Sequence, residues 1–203
     1  MTFLWRSRGE RQQFSDLAHY PHHALRNWLA LFIAVATRYL LGMAKPRVYV
    51  ETTIPSFYHE VRTESEMVAR REWTREWWDN YRTGYDLFAS EAVIDELENG
   101  AFPQKDDALV LIEGVPLLDI EDPIGDIVEA YIQRHVMPAD PAGDALHLAL
   151  ASFHRCDFLL TWNCRHLANA NKFAHIRRVN GILGLFVPSL VTPLELLGER
   201  ESP

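Results

Sequence analysis

From residue 45 onward, short apolar runs alternate along the chain with longer segments that carry apolar residues at helical spacing. The short runs are rich in β-branched and aliphatic residues, which is typical of parallel strands because both of their faces are buried. The predicted strands are Arg47–Glu51, Tyr85–Ala89, Val115–Ile120, Asp157–Thr161 and Pro188–Pro193. Strands that alternate with helices predict an α/β fold, a three-layer sandwich with helices on both faces of a mostly parallel central sheet.

The longer segments predict the helices. Glu64–Arg82 has an apolar stripe with several tryptophans, which favours a surface facing the core or a partner protein over a platform for stacking bases. Ser90 is a favourable N-cap for a helix over Glu91–Glu98, and Gly100 follows that helix. Further helices are predicted at Pro103–Glu113, at Pro123–Val136, from Asp144 onward, and from His166 to about Arg178, where Asn180-Gly181 would end the last one.

Residues 1–42 differ from the remainder of the chain in charge and pattern. They hold five arginines and two acidic residues, whereas residues 43–203 hold 15 basic and 26 acidic residues. Their longest apolar run, Trp28–Ala36, is far shorter than the roughly 20 residues that span a bilayer. We therefore predict an appendage over 1–42 and one domain over 43–203. A start at Met43, an additional packed helix and a targeting or membrane-contacting segment are the interpretations left open for the appendage.

Composition and charge narrow the possible functions. The chain of 203 residues is 48% hydrophobic and 24% charged, as in ordinary globular domains. A net charge of -8 argues against nonspecific coating of DNA, although it is compatible with a site built from carboxylates. The two cysteines, Cys156 and Cys164, form neither a zinc motif nor a disulfide framework, which favours reduced thiols in a cytoplasmic protein.

Four polar residues fall at strand ends or in helices beside them. Glu51 ends the first predicted strand, where open α/β sheets place their ligand groups. Glu96 lies at the edge of an apolar helix face, and a half-buried carboxylate needs a partner or a cation. Asp144 opens a helix, where it also complements the helix dipole, and Asn163 follows the fourth strand. His147, one turn after Asp144, is interpreted as a core residue, with a substrate contact as the alternative.

Hard oxygen ligands without cysteine or paired histidines suit Mg²⁺ or Mn²⁺. Clustered carboxylates repel one another strongly unless a cation lies between them. The chemistry that such a site performs most naturally is the metal-dependent hydrolysis of a phosphodiester bond. We therefore predict that Glu51, Glu96, Asp144 and Asn163 form a metal-binding and catalytic site. A phosphatase of small molecules is less favoured, because no Asp-x-Asp follows the first strand.

The motifs around these residues resemble those of PIN domains, and more closely those of the VapC-like toxins of bacterial type II toxin–antitoxin pairs. The resemblance covers about residues 46–197 and depends on four segments in order: Val48–Thr53, Ser90–Leu97, Gly143–Ala151 and Asp157–Asn163. It implies a parallel sheet flanked by helices, an Mg²⁺- or Mn²⁺-dependent endoribonuclease, a homodimer, and inhibition by a cognate antitoxin protein. Separately, the short apolar runs of the chain lead us to expect no association with membranes.

Two residues depart from the family pattern. Glu51 stands where the family usually has aspartate, which displaces the carboxylate by about 1.5 Å, one methylene. Asn163 stands where aspartate is frequent and brings no charge. The alternative hypothesis is therefore a non-catalytic PIN-fold binding module with a weakened metal site.

RNA would approach this acidic domain through local basic residues. The candidates are Arg165, Lys172, Arg177 and Arg178, which follow Asn163, although a solvated helix face is an equally good interpretation of them. Asp157 is a further acidic residue of the fourth motif. Because it precedes the strand, we expect it at the opposite end of the sheet, in a structural role.

Overall fold

The computed structural model describes residues 44–140 and 142–198, which apart from Ala44 belong to the unit Lys45–Pro203. The predicted appendage over 1–42 lies outside the described residues. Within the described ranges, no helix is both long enough and apolar enough to cross a membrane.

A five-stranded sheet, parallel throughout, forms the centre of the fold, in the spatial order β3-β2-β1-β4-β5. Its strands are β1 Arg47–Val50, β2 Asp86–Ser90, β3 Leu117–Leu118, β4 Phe158–Leu160 and β5 Ser189–Val191. Four of them lie within the predicted strand segments, and β2 extends one residue beyond its segment, to Ser90. The fold class predicted from the alternating pattern, an α/β sandwich with a parallel sheet, is confirmed.

Helices flank this sheet, and the chain returns through one or more of them between successive strands. They are α1 Thr53–Tyr58, α2 Ser65–Asn80, α3 Glu91–Asn99, α4 Lys105–Ile112, α5 Asp122–Gln133, α6 Asp144–Phe153 and α7 Ala170–Leu183. Two 3-10 turns, Arg82–Gly84 and Pro193–Leu196, complete the described elements. The core lies where the helices cover the sheet, and the central strand supplies Val48, Tyr49 and Val50, all fully buried.

The tryptophans of α2 belong mainly to the core, as the apolar stripe predicted. Trp77 and Trp78 are almost completely buried. Trp73 is half-buried and stacks on Trp162, with the ring centroids 6.1 Å apart. Trp162 follows β4, so this contact fixes the segment after β4 against α2.

The last long helix is shifted from its predicted position, His166–Arg178. It begins after Asn169, whose side-chain oxygen accepts a hydrogen bond of 3.0 Å from the backbone N–H of Asn171. It ends at Gly184, which has a positive φ of 68°, the left-handed conformation that glycine adopts without steric cost.

Asn180-Gly181 does not end α7, because tertiary hydrogen bonds hold Asn180 inside the helix. Its Oδ1 accepts from the hydroxyl of Tyr131 at 2.7 Å, and its Nδ2 donates to Ser152 Oγ at 3.0 Å. The side chain is completely buried, so these bonds satisfy groups that would otherwise be unpaired in the core. Local turn propensity is outweighed by these contacts between α5, α6 and α7.

The strand order reverses between β1 and β4, in the middle of the sheet. From β1 the chain moves to β2 and β3 on one side, and later returns to β4 and β5 on the other. In open α/β sheets, ligands bind outside the carboxyl ends of the strands at such a reversal of strand order. Glu51 directly follows β1, and Thr161–Asn163 directly follow β4, so both segments lie at this point.

Candidate metal centre

Glu51 is a buried carboxylate held by hydroxyl groups. Its side chain is 5% exposed. Among the described residues, the hydrogen bonds of its carboxylate all reach Oε2: the backbone N–H of Thr53 at 3.1 Å, the Thr53 hydroxyl, and the Thr161 hydroxyl at 2.7 Å. Burial raises the pKa of Glu51 above its usual value, although the charge of His147 and these hydroxyl donors oppose the rise. The three donors fix Oε2, which leaves Oε1 as the oxygen for a ligand.

Glu96 reaches the same site from the middle of α3. Its Oε2 accepts a hydrogen bond from the Thr52 hydroxyl, and its Oε1 lies 3.1 Å from Nε2 of His147. Burial raises the pKa of Glu96, but the hydrogen bond and charge of His147, together with the Thr52 hydroxyl, lower it below its usual value. The flanking Glu91 and Glu98 are exposed. Glu96 is thus the carboxylate of α3 that contacts His147, in the position that its half-apolar surroundings predicted.

His147 lies at the centre of a buried chain of hydrogen bonds. Its side chain is 1% exposed, and its Nδ1 lies 2.8 Å from the hydroxyl of Tyr49, which in turn lies 2.7 Å from Ser90 Oγ. Burial lowers the pKa of His147, but the hydrogen bond to Glu96 and the charges of Glu51, Glu96 and Asp144 raise it overall. The ring is therefore both a core residue and part of the polar site.

Glu51, Glu96 and His147 together form a group suited to a metal ion. Each offers one ligand atom, and these atoms all lie within 4.8 Å of one another. Two carboxylates and one imidazole are a usual ligand set for divalent first-row metals. The residues also fit a metal in charge, because two neighbouring carboxylates favour a cation between them. The second nitrogen of a metal-bound histidine normally has a fixed partner, and Tyr49 occupies that place.

Asp144 and Asn163 form a pair beside this group. Nδ2 of Asn163 donates to Oδ1 of Asp144 at 2.7 Å, and Oδ1 of Asn163 accepts from the backbone N–H of His166 at 3.1 Å. This orientation of the amide follows from its partners, because a carboxylate only accepts and a backbone N–H only donates. Asn163 therefore orients Asp144, and its oxygen is already used within its own loop.

Asp144 is the first residue of α6 and is half-buried. Burial raises its pKa, opposed by the charges of His166 and His147 and by the amide of Asn163, while Glu96 raises it further. Asp144 does not belong to the group of Glu51, Glu96 and His147, but it lies close enough for its charge to raise the pKa of His147. The structure thus brings Glu51 and Glu96 together and sets Asp144 and Asn163 at their side. Their catalytic and metal-binding roles stay predictions.

His147 is the core residue that the sequence favoured, but its contact with Glu96 and the roles of the threonine hydroxyls were not predicted. The available signal for His147 was its spacing, since residues three apart share one face of a helix and Asp144 was already a candidate. The threonines gave no comparable signal. Thr53 and Thr161 share Glu51 because the start of α1 contacts the segment after β4, and Thr52 reaches Glu96 of α3.

The remaining polar candidates lie elsewhere. Asp157 is at the amino end of the sheet, where its Oδ2 accepts from the backbone N–H of Arg47 at 2.8 Å, in the structural role predicted for it. Lys172 donates to the backbone oxygen of Val136 at 3.1 Å. Arg165, Arg177 and Arg178 are exposed, and their contact with RNA stays a prediction.

Because comparisons with known proteins gave no match, the geometry of the site is the basis for assigning a function. No protein-family model matches the chain, and neither the curated proteins nor the solved structures searched gave a match.

Proposed function

We propose that this protein is a divalent-metal-dependent endoribonuclease of the PIN type, acting as the toxin of a toxin–antitoxin pair. The observation that carries the proposal is the group of Glu51, Glu96 and His147, whose ligand atoms lie within 4.8 Å of one another. The group lies where the strand order reverses, the position at which α/β sheets bind ligands. The order of the four motifs that resemble PIN domains supports the choice of RNA as substrate.

Each residue of the site has a physical task in this proposal. Glu51 and Glu96 would hold Mg²⁺ or Mn²⁺, with His147 as a nitrogen ligand. A divalent cation supplies an activated water and stabilises charge on the phosphate during hydrolysis. Thr53 and Thr161 hold Oε2 of Glu51, and Thr52 holds Oε2 of Glu96, so that the other oxygen of each can face the cation.

Asp144 is suited to orient the attacking water. A carboxylate whose pKa is raised by burial is a better proton acceptor than an exposed one. Asn163 would keep Oδ1 of Asp144 in place through the hydrogen bond of 2.7 Å. The aspartate expected from the family pattern at position 163 would instead repel Asp144, so the asparagine changes a ligand into a positioning residue.

The test compares purified wild-type protein with Asp144→Asn on a labelled single-stranded RNA, with Mg²⁺, with Mn²⁺ and with EDTA. We expect cleavage that requires the metal, and a loss of at least about 100-fold in rate for Asp144→Asn, the range for a removed general base. Asp126→Asn is the matched control, because Asp126 is exposed on α5, outside the site. If the wild type cuts no RNA with any divalent metal, the proposal is wrong.

One observation favours the alternative, a non-catalytic binding module. Glu51 Oε2 is satisfied by three donors, and the oxygen of Asn163 is satisfied by the backbone of His166. A site already satisfied by the protein has less to gain from a cation. Titration calorimetry with Mn²⁺ separates the two functions, because the module would bind none.

The proposal extends to partners. A toxin of this kind would act in the cytoplasm as a homodimer and would be inhibited by a cognate antitoxin. A short neighbouring gene for a small DNA-binding protein, and co-purification of the two products, would support this part. A monomer that no neighbouring gene product inhibits would contradict it.

A further inference from the structure

A cavity of about 430 Å³ lies between the end of α1 and the loop that joins α3 to α4. This volume is in the range of sites for small ligands. Its walls carry two aromatic rings from different elements, Phe57 of α1 and Phe102 of the loop. The cavity shares no lining residue with the carboxylate group, so it is a separate feature.

Both walls of the cavity are connected to Glu96, one through Thr52 at the start of α1 and the other through the end of α3. Ser56 lines the cavity and donates to the backbone oxygen of Thr52 at 2.8 Å, while the hydroxyl of Thr52 donates to Glu96. On the other wall, a Cβ at Gly100 would lie 2.7 Å from the ring of Phe102 and 3.2 Å from the backbone oxygen of Glu96. A Cβ there would displace the Phe102 ring, so the glycine lets that ring lie against the end of α3.

The chemistry of the walls suits a flat aromatic ligand with a polar edge. The guanidinium of Arg62 is paired with Glu60 and lies 6.0 Å from the centroid of the Phe57 ring. With Glu60 beside that guanidinium, the cavity is poorly suited to a phosphate. His59 also lines the cavity, and its Nε2 is buried without a hydrogen-bond partner among the described residues. A buried polar atom of this kind needs a partner, and a turn of the His59 ring toward the cavity would let the edge of a ligand supply it.

We propose that this cavity binds an unpaired base of the RNA substrate, next to the phosphate that would be cleaved at the carboxylate site. This inference rests on the proposed function. Aromatic side chains stack on the faces of unpaired bases, and polar groups bond to their edges. A base within a duplex has its faces stacked and its edge paired, so it cannot enter. The cavity therefore directs cleavage to single-stranded segments and loops.

The experiment uses Phe102, which lies in a loop, is half-buried and packs against the core from outside, so an apolar replacement keeps that packing. Phe102→Leu keeps the apolar bulk without the ring, and Phe102→Trp restores an aromatic face. Phe186→Leu is the matched control, because Phe186 is also half-buried but precedes β5, at the amino end of the sheet. Binding of one fluorescent single-stranded RNA is measured in EDTA, and cleavage of that RNA and of a hairpin containing it is measured with Mn²⁺.

We expect Phe102→Leu to weaken binding of the single strand roughly tenfold, as for the loss of one stacked base, and Phe102→Trp to restore it. The wild type should cleave the loop of the hairpin and spare its stem. The proposal is overturned if the wild type cleaves RNA while Phe102→Leu and Phe186→Leu bind it equally, and the ribonuclease would then stand without the cavity. If the wild type neither binds nor cleaves RNA, the proposed function fails as well.

Discussion

Nε2 of His147 lies 3.1 Å from Oε1 of Glu96, while Nδ1 of the same ring lies 2.8 Å from the hydroxyl of Tyr49. A carboxylate can only accept, so Nε2 carries a hydrogen in the metal-free protein. To bind a metal through Nε2, the ring must release that hydrogen and use Nδ1–H to donate to Tyr49. Tyr49 can accept it, because its own hydroxyl can donate to Ser90.

This arrangement predicts that both His147 and Tyr49 support metal affinity. His147→Gln removes the nitrogen ligand, and Tyr49→Phe removes the partner that selects the ring form with a free Nε2. We expect each variant to bind Mn²⁺ at least about tenfold more weakly, the usual range for losing such a partner. Titration calorimetry at fixed pH measures the affinity.

The control for this comparison is His175→Gln. His175 is exposed on α7 and its Nε2 lies 2.8 Å from the backbone oxygen of Arg134, outside the site. If Tyr49→Phe binds Mn²⁺ as tightly as the wild type, the tyrosine has only a packing role.

The pKa of His147 predicts how the metal-free protein responds to pH. Burial lowers that pKa, but Glu96, Glu51 and Asp144 raise it overall. A raised pKa in the folded state gives stability that is complete below the unfolded value, about 6.5, and is lost as the pH rises through the folded value. The raised pKa of Glu51 acts in the same direction at lower pH. In EDTA, the melting temperature should therefore fall as the pH is raised from about 6.5.

Mn²⁺ should oppose this fall of the melting temperature with rising pH, because the side chains that bind it must first be deprotonated. The stabilisation by saturating Mn²⁺ should therefore grow with pH over the same range. Thermal melts in EDTA and in Mn²⁺ test both slopes, and His147→Gln should show a smaller fall in EDTA. Equal slopes for wild type and His147→Gln would exclude His147 as the titrating group.

The sequence allowed the sheet to be located because its signals are local. Each strand is a short apolar run, and Glu51 and Asp144 stand at boundaries that such runs define. The end of α7 was misplaced because Asn180 is bonded to Tyr131 and Ser152, which lie far away in the chain. The contact of His147 with Glu96 was not predicted for a related reason. An apolar helix face predicts burial, and only the approach of Glu96 from α3 turns that buried ring into a polar site.

The two cysteines should differ sharply in reactivity. Cys156 is buried, and burial raises the pKa of its thiol to about 11, whereas Cys164 is exposed and follows Asn163. A maleimide should therefore label one thiol in the native protein and two after unfolding, as mass spectrometry would report. Because thiolates are the reactive species, Cys156 should stay unmodified at neutral pH.

Labelling of Cys164 should also affect cleavage of RNA. A bulky adduct there lies beside the Asp144–Asn163 pair, so we expect it to slow cleavage and RNA to slow the labelling. Cys164→Ser is the control, since it should keep full activity and resist the reagent. An adduct without effect on cleavage would place the bound RNA away from the loop after β4.

Replacement of Thr74 should lower the stability of the fold rather than its affinity for metal. Its hydroxyl oxygen accepts from the indole N–H of Trp162 at 2.7 Å, and both side chains are buried. Thr74→Val keeps the shape but leaves the indole N–H unpaired, which costs about 1–3 kcal/mol of unfolding free energy. Urea unfolding measures the loss, with Thr83→Val, at an exposed position, as control.

Metal affinity should change little in Thr74→Val, because the backbone of Trp162 still donates to Thr53 at 2.8 Å, and Thr53 still donates to Glu51. The stacking of Trp162 on Trp73 is also retained. If Mn²⁺ binding falls with stability, the indole bond to α2 sets the position of Thr53, and the carboxylate site depends on the packing of α2. If stability is unchanged, the indole N–H has found another partner and the hydrogen bond to Thr74 contributes little.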